Sequence, residues 1–237
     1  TDATKIPLRQ KPVKVEKEKP QAKKRGRPKK GETREPIKPT ILKQQKELLS
    51  VEEKLALVST ECGVGIKQNS KGNREVWIGG KLHISAVDGD IPVTAFYSGA
   101  NIHDSSIALP LIQETSKRVN YLYDLQDAGY DADIIREFSN KLGHRPIIDT
   151  NPKNSKELKA KIELMEHEGK TFKDINQHLN CDEEHYNQRS MVERVNKYLK
   201  DDFGCDKIYY QGATKVASVL AFGILSICIH QSLQLVT

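Results

Sequence analysis

Residues 74–100 read REVWIGGKLHISAVDGDIPVTAFYSGA, two runs of strand-forming residues on either side of Asp88-Gly89-Asp90. An Asp-Gly pair accepts the positive backbone angles that a tight turn needs, so the two runs fold back on each other as an antiparallel hairpin. That feature commits the chain to a sheet. The next segment has a different period. HDSSIALPLIQETSKRV (His103 to Val119) spaces its apolar residues for a helix, with Asp104 or Ser105 as its cap. NYLYDLQDAGY (Asn120 to Tyr130) is an apolar strand ending in acids, DADIIREFSNKLG (Asp131 to Gly143) a helix, and HRPIIDTN a short buried strand ending at Asp149. Two antiparallel strands followed by strand–helix–strand–helix predict an α/β fold, a mixed sheet with helices on its faces. Further helical segments are predicted at Ser155 to Glu168, Phe172 to Leu179 and Gly212 to Val236.

The chain ahead of the hairpin is less regular. Six of its ten prolines fall between residues 5 and 40, where no hydrophobic period is visible, so this stretch reads as disordered or loosely held. Residues 1–40 also carry 14 Lys and Arg against 5 Asp and Glu. The net charge of +6 therefore belongs to this segment, and the rest of the chain is slightly acidic. Such a segment favours polyanions. From Thr40, TILKQQKELLSVEEKLALVS predicts two short helices, the second opened by a capping box of Ser50 and Glu53. ECGVGIKQNSKGN (Glu61 to Asn73) reads as a Gly-rich loop.

Several chemistries are disfavoured. Cys62, Cys181, Cys205 and Cys228 have no metal-ligand spacing and read as free thiols in a reducing cytoplasm. His83, His103, His144 and His230 are placed like strand or cap residues, and Trp77 like a core residue. The apolar run from Val216 to Val236 is of membrane length, but His230, Gln231, Ser232 and Gln234 break its last third. It is expected to be a buried core helix, and no membrane partner is expected.

The most deliberate stretch is HYNQRSMVERVNKYLK (His185 to Lys200). On a helix, Tyr186, Arg189 and Lys200 lie within about 40° of the direction of Glu193. Arg189 and Lys197 flank that glutamate at i−4 and i+4, which an ordinary surface helix with salt bridges also explains. A carboxylate within a cationic face equally suits a site where an acid holds Mg²⁺ or Mn²⁺ and the cations grip phosphates. Two-metal phosphoryl transfer needs further acids. Asp124, Asp127, Asp131 and Asp149 stand at strand ends as candidates, each with an alternative role as a cap or turn residue.

Tyr186, Arg189, Glu193 and Lys200 match the spacing Y-x2-R-x3-E-x6-K, and DAGYDA (Asp127 to Ala132) lies upstream. In both, the chain resembles the bacterial insertion-sequence DDE transposases. The stretch from Gly79 to Ile112, with its KLH, Asp-Gly turn and HDS in that order, is similar to the same family, and the likeness covers nearly all of residues 75–237. The resemblance implies a ribonuclease-H-like mixed sheet flanked by helices, with a triad of two aspartates and a glutamate. Asp127 and Glu193 would be two of the three. No aspartate occurs between residues 5 and 78, so Asp2, in TDATKI, is the candidate for the first.

On that reading residues 1–4 are a remnant of the first catalytic strand, and 5–74 a basic insertion, disordered or helical, after it. Residues 75–237 form the catalytic domain, and a portion upstream of Thr1 is expected. The resemblance further implies two Mg²⁺ (or Mn²⁺) ions on Asp2, Asp127 and Glu193. Tyr186, Arg189 and Lys200, with the adjacent Lys197, would meet DNA phosphates. KRGRPKK (Lys24 to Lys30) resembles an AT-hook, with Arg25, Arg27 and Lys29 at the minor groove or its phosphates. The expected activity is metal-dependent cleavage and strand transfer at the ends of a mobile DNA element by a homodimer on DNA. A cytoplasmic, nucleoid-associated protein without a small-molecule substrate is expected. The rival expectation is a DNA-binding relic without catalysis.

Overall fold

The computed structural model describes residues 1–13, 39–68, 72–149, 156–169 and 188–236. Its spine is the fourteen-residue strand β3 (Arg74–Val87). The predicted hairpin joins it to β4 (Ile91–Gly99), and the turn places Gly89 at φ 80° and Asp90 at φ 57°. These left-handed angles give a hairpin the twist its strands require. On the opposite edge of β3 lies β1 (Asp2–Pro7), antiparallel, with Asp2 facing Ile84 and Pro7 facing Gly79. β2 (Gly63–Gln68) pairs with the first half of β3, Gly63 against Gly79 and Gln68 against Arg74. The segment read as a Gly-rich loop therefore contains a strand. Its glycines serve close packing: a Cβ on Gly65 would lie 2.3 Å from the Trp77 ring.

A second pair of strands, β5 (Tyr123–Gln126) and β6 (Arg145–Ile148), is parallel, Tyr123 facing Arg145. The Thr1 nitrogen donates a hydrogen bond to the Leu125 carbonyl at 2.9 Å, which sets the start of β1 beside the end of β5.

Helices cover both faces. α1 (Ile41–Lys46), α2 (Val51–Ala56), α3 (Ser105–Arg118) and α4 (Asp133–Lys141) pack on one side around two adjoining apolar clusters, one with Val58, Ile107 and Leu111 and the other with Leu109, Ile112 and Ile135. The expected capping box at α2 is present, Ser50 and Glu53 each closing on the other's backbone. Gln45 ties α1 to its neighbours, its amide donating to Ser106 O at 2.8 Å and Lys54 O at 3.0 Å. α5 (Lys156–His167) follows β6.

A further core joins Ile6, Leu82 and Ile84 of the sheet to Val192, Val195 and Leu199 of α6 (Ser190–Asp201) and to Val216, Leu220 and Ile227 of α7 (Ala213–Val236). The predicted helix at Phe172 to Leu179 lies outside the described residues, as does the AT-hook-like segment.

Two expectations need correction. α6 begins at Ser190 with Arg189 at its cap, so Arg189 precedes the helix, and Tyr186 lies outside the described residues. α7 is not a buried core helix. One stripe, Val216, Leu220, Gly223, Ile227 and Gln231, is buried, while Phe222 (71%), Leu225 and Ile229 (54% each) are exposed. Its apolar residues surround the whole axis, so a burial direction is set only by what it packs on. By length and composition alone it is apolar enough to cross a membrane.

Gly79 is where β1, β2 and β3 meet. Its φ is 153°, and a Cβ there would stand 2.1 Å from the Ile6 carbonyl oxygen. Gly79→Ala is expected to destabilise the fold by about 3 kcal/mol, whereas Gly89→Ala, with nothing nearer than 3.7 Å, costs only about 1 kcal/mol of turn strain. Urea unfolding of both variants checks the contrast.

Candidate active site

Three elements converge on one cavity of about 610 Å³. β1 contributes Asp2 as its first residue. Asp127 follows β5 directly and caps a single turn (Ala128–Tyr130), its Oδ1 accepting from the Gly129 N–H at 3.0 Å. Tyr130, fully buried, anchors that turn. α6 packs through Val192, Val195 and Leu199, and so turns Glu193, Asn196 and Lys200 to the cavity. The Asn196 amide donates to Asp2 Oδ2 at 3.2 Å, tying helix to strand.

Both aspartates are electrostatically uncomfortable. Burial first, and the neighbouring Asp127 carboxylate next among the raising causes, hold the Asp2 carboxyl above its ordinary value. Burial also raises Asp127, with Asp104 adding repulsion and Arg189 and Lys67 opposing it. Desolvation penalises the charged form, and a second anion nearby penalises it again.

Glu193 lines the same cavity, but its side chain is 54% exposed and its Oε1 meets the Arg189 guanidinium at 3.0 Å. Among the described residues no group of three His, Cys, Asp or Glu side chains is arranged to hold one metal ion. The oxygens that are present nevertheless suit a hard cation. Asp2 and Asp127 are carboxylates raised by burial, and the buried Asn196 Oδ1 beside them has no hydrogen-bond partner. All are oxygen donors of the kind Mg²⁺ and Mn²⁺ take.

The structure thus brings Asp2, Asp127, Glu193 and Lys200 to one cavity. Arg189 reaches it through Glu193, and Lys197 is exposed on α6 without lining it. Tyr186, Arg25, Arg27 and Lys29 lie outside the described residues. The other acids proposed for the site do not line the cavity. Asp124 accepts from the Ser139 hydroxyl, and Asp131 pairs with Arg136 at 2.9 Å.

Several lining residues escaped sequence reasoning. Asp104, expected as a cap, makes no side-chain cap bond; it pairs with Lys81 at 2.9 Å, and Lys81 also donates to Ile102 O at 2.8 Å. Lys5, Lys67 and Glu75 line the cavity as well. KLH and HDS had carried the signal for Lys81 and Asp104, as recurring motifs without an assigned role.

Carboxylates at one end and lysines at the other fit phosphate esters, which bind cations directly and a metal through their oxygens. The class is thus a mixed α/β protein with an acid-and-lysine cavity. The family described as Transposase DDE domain matches residues 2–229, and the chain belongs to that family. Membership points to transposase function in general, and the family implies DNA as the partner. No curated protein and no solved structure matches it.

The raised carboxyls link pH to stability. A carboxyl with a raised native pKa contributes stability below its ordinary 3.8, and that contribution is lost as the pH rises through the raised value. At neutral pH both aspartates burden the metal-free fold. Asp2→Asn and Asp127→Asn are expected to raise its Tm at pH 7, by about 2–4 °C for each kcal/mol relieved, with the gain shrinking in acid. Thermal melts at both pH values decide; unchanged melting at pH 7 would mean the carboxylates are already well solvated.

Proposed function

We propose that this chain is the catalytic part of a DNA transposase that cuts DNA at the ends of a mobile element and joins them to a target in a metal-dependent reaction. The observation that carries the reading is that Asp2, Asp127 and Glu193, from three distant parts of the chain, line one cavity. The strand arrangement supports a ribonuclease-H-like sheet. β4, β3 and β1 are paired in that order, β5 and β6 are paired with each other, and the Thr1–Leu125 hydrogen bond is the bridge between the groups.

In the proposed mechanism Asp2 and Asp127 hold divalent cations, Mg²⁺ or Mn²⁺, with Glu193 as the third acid. When bound, two such ions make a water or 3′-hydroxyl more nucleophilic and neutralise the leaving oxygen of a phosphodiester. The chain's own residues prepare that chemistry. Asn196 orients the Asp2 carboxylate, and the Gly129 N–H fixes Asp127. The Lys81–Asp104 pair keeps a cation beside the acids. Lys200 takes a phosphate oxygen of the DNA, with Lys197 and Tyr186 along the same strand. Arg189 passes from Glu193 to the DNA backbone as Glu193 turns to the aspartates.

The basic segment with Arg25, Arg27 and Lys29 adds salt-dependent affinity for DNA outside the cavity. A homodimer on DNA, in the cytoplasm and at the nucleoid, belongs to the same proposal, as does the division into a first-strand remnant, a basic insertion and a catalytic domain.

A second reading has its own observation. The Arg189–Glu193 ion pair keeps the glutamate from the aspartates, as in a relic that binds DNA without cutting it. Mn²⁺ titration of the wild type, Asp127→Asn and Glu193→Gln, followed by nicking of supercoiled DNA, separates the two. The catalytic reading expects wild-type metal binding and nicking, each weakened by at least about a hundredfold in both variants, more than the loss of an outer-shell partner. Equal behaviour of all three with DNA binding intact identifies the relic.

A further inference from the structure

Beyond the acids, the far end of the cavity has an excess of positive charge. Lys5 on β1, Lys67 on β2 and Lys200 on α6 all line it, against the single carboxylate of Glu75 on β3. Glu75 forms an ion pair with Lys5 Nζ and stands directly opposite Lys67 in the β2–β3 register. Cross-strand neighbours of this kind are in reach of each other. Trp77, two residues along, lines the same cavity with its ring against Gly65, so this arm of the sheet has a firm floor.

We propose that Lys5, Lys67 and Lys200 form a seat for one DNA phosphate at the β2 end of the cavity, and that Glu75 fills the seat until a phosphodiester displaces it. This rests on the reading of DNA as substrate, and adds to it two phosphate-binding residues and a built-in placeholder that no motif announces. Three ammonium groups share the one carboxylate of Glu75, with Asp206 and Asp2 attracting Lys200 from outside the cluster. This leaves the seat short of negative charge, which a phosphate supplies with several acceptor oxygens at once. The strain is visible at Lys200, where burial first and Lys5 next push its ammonium below the ordinary lysine range. Lys5 in turn holds the Glu75 carboxyl below its own.

Position favours the role. β3 runs on past the end of β1 as the arm carrying Glu75, and the Leu8 N–H closes on Ile78 O at 2.9 Å. The seat thus lies along β1 from Asp2. A DNA strand whose scissile phosphate meets Asp2 and Asp127 passes a neighbouring phosphate over Lys5 and Lys67. Releasing Glu75 costs little, because Lys5 and Glu75 are 37% and 44% exposed and an ion pair so open is weak.

The test is fluorescence anisotropy of a fluorescein-labelled DNA duplex with the full chain, in EDTA so that nothing is cut, over a range of salt. Lys67→Ala and Lys5→Ala are each expected to weaken binding and to reduce the slope of log affinity against log salt by about 0.9, the loss of one phosphate contact. Glu75→Gln is expected to tighten binding about fivefold, the worth of one unit-charge interaction at roughly 4 Å in water. Lys141→Ala, an exposed lysine outside the cavity, controls for general loss of charge and is expected to change neither.

If Glu75→Gln binds no tighter and Lys67→Ala does no more harm than Lys141→Ala while Lys200→Ala still weakens binding, the seat is overturned. Glu75 is then an ordinary surface partner of Lys5, and the transposase reading stands. If Lys200→Ala is silent too, the cavity is not a DNA site and both fail.

Discussion

The antiparallel pairing of β1 with the second half of β3 holds the cavity together. Asp2 faces Ile84 at one end of the pairing, and Pro7 faces Gly79 at the other. Between them Ile6 enters the core that receives α6. Six residues at the start of the chain thus supply one acid, the wall along which the lysines line up, and the apolar contact that orients the glutamate's helix. Without this strand Asp127 would stand alone at the end of β5. The backbone ladder does what no side chain here could do, since it fixes direction and register together.

The cavity is built against its own stability. Burial raises the carboxyls of both Asp2 and Asp127, and a neighbouring anion adds to each, Asp127 at Asp2 and Asp104 at Asp127. At the other end lysines crowd one another. A fold that separates like charges into two opposing groups keeps an electrostatic field ready for a ligand that carries both a cation and an anion. Sites that bind in this way are commonly less stable empty than filled. The ion pairs within and beside each group, Lys81–Asp104, Lys5–Glu75 and Arg189–Glu193, are compensations whose partners can be exchanged.

Much of the fold was legible. The hairpin about Gly89, the alternation from α3 to β6, and the Ser50–Glu53 capping box rest on local chemistry, and each is found where its residues put it. Other features were not. The strand within 61–73 was hidden by its glycines, which weaken a strand signal but here clear space for Asn101 at Gly63 and for the Trp77 ring at Gly65. The burial of α7 on one side was invisible because the helix is apolar all round. Asp104 was read as a cap because its position allows one; a partner on β3, Lys81, takes its carboxylate instead.

The sequence alone determined which acids and cations this protein has to work with. Asp127 in its DAGYDA motif, Glu193 between Arg189 and Lys197, and the lysine seven residues on are matters of spacing, and spacing is local. The tertiary structure decided which of them meet. Asp2 joins Asp127 only because β1 lies beside β5, and Lys5 and Lys67 join Lys200 only because β3 runs past β1 and bears β2. Lys197 turns from the cavity because Val195 and Leu199 face the core. Pairing between distant strands and the choice of a helix's buried face are set by contacts with segments far along the chain, and no window of neighbouring residues contains them.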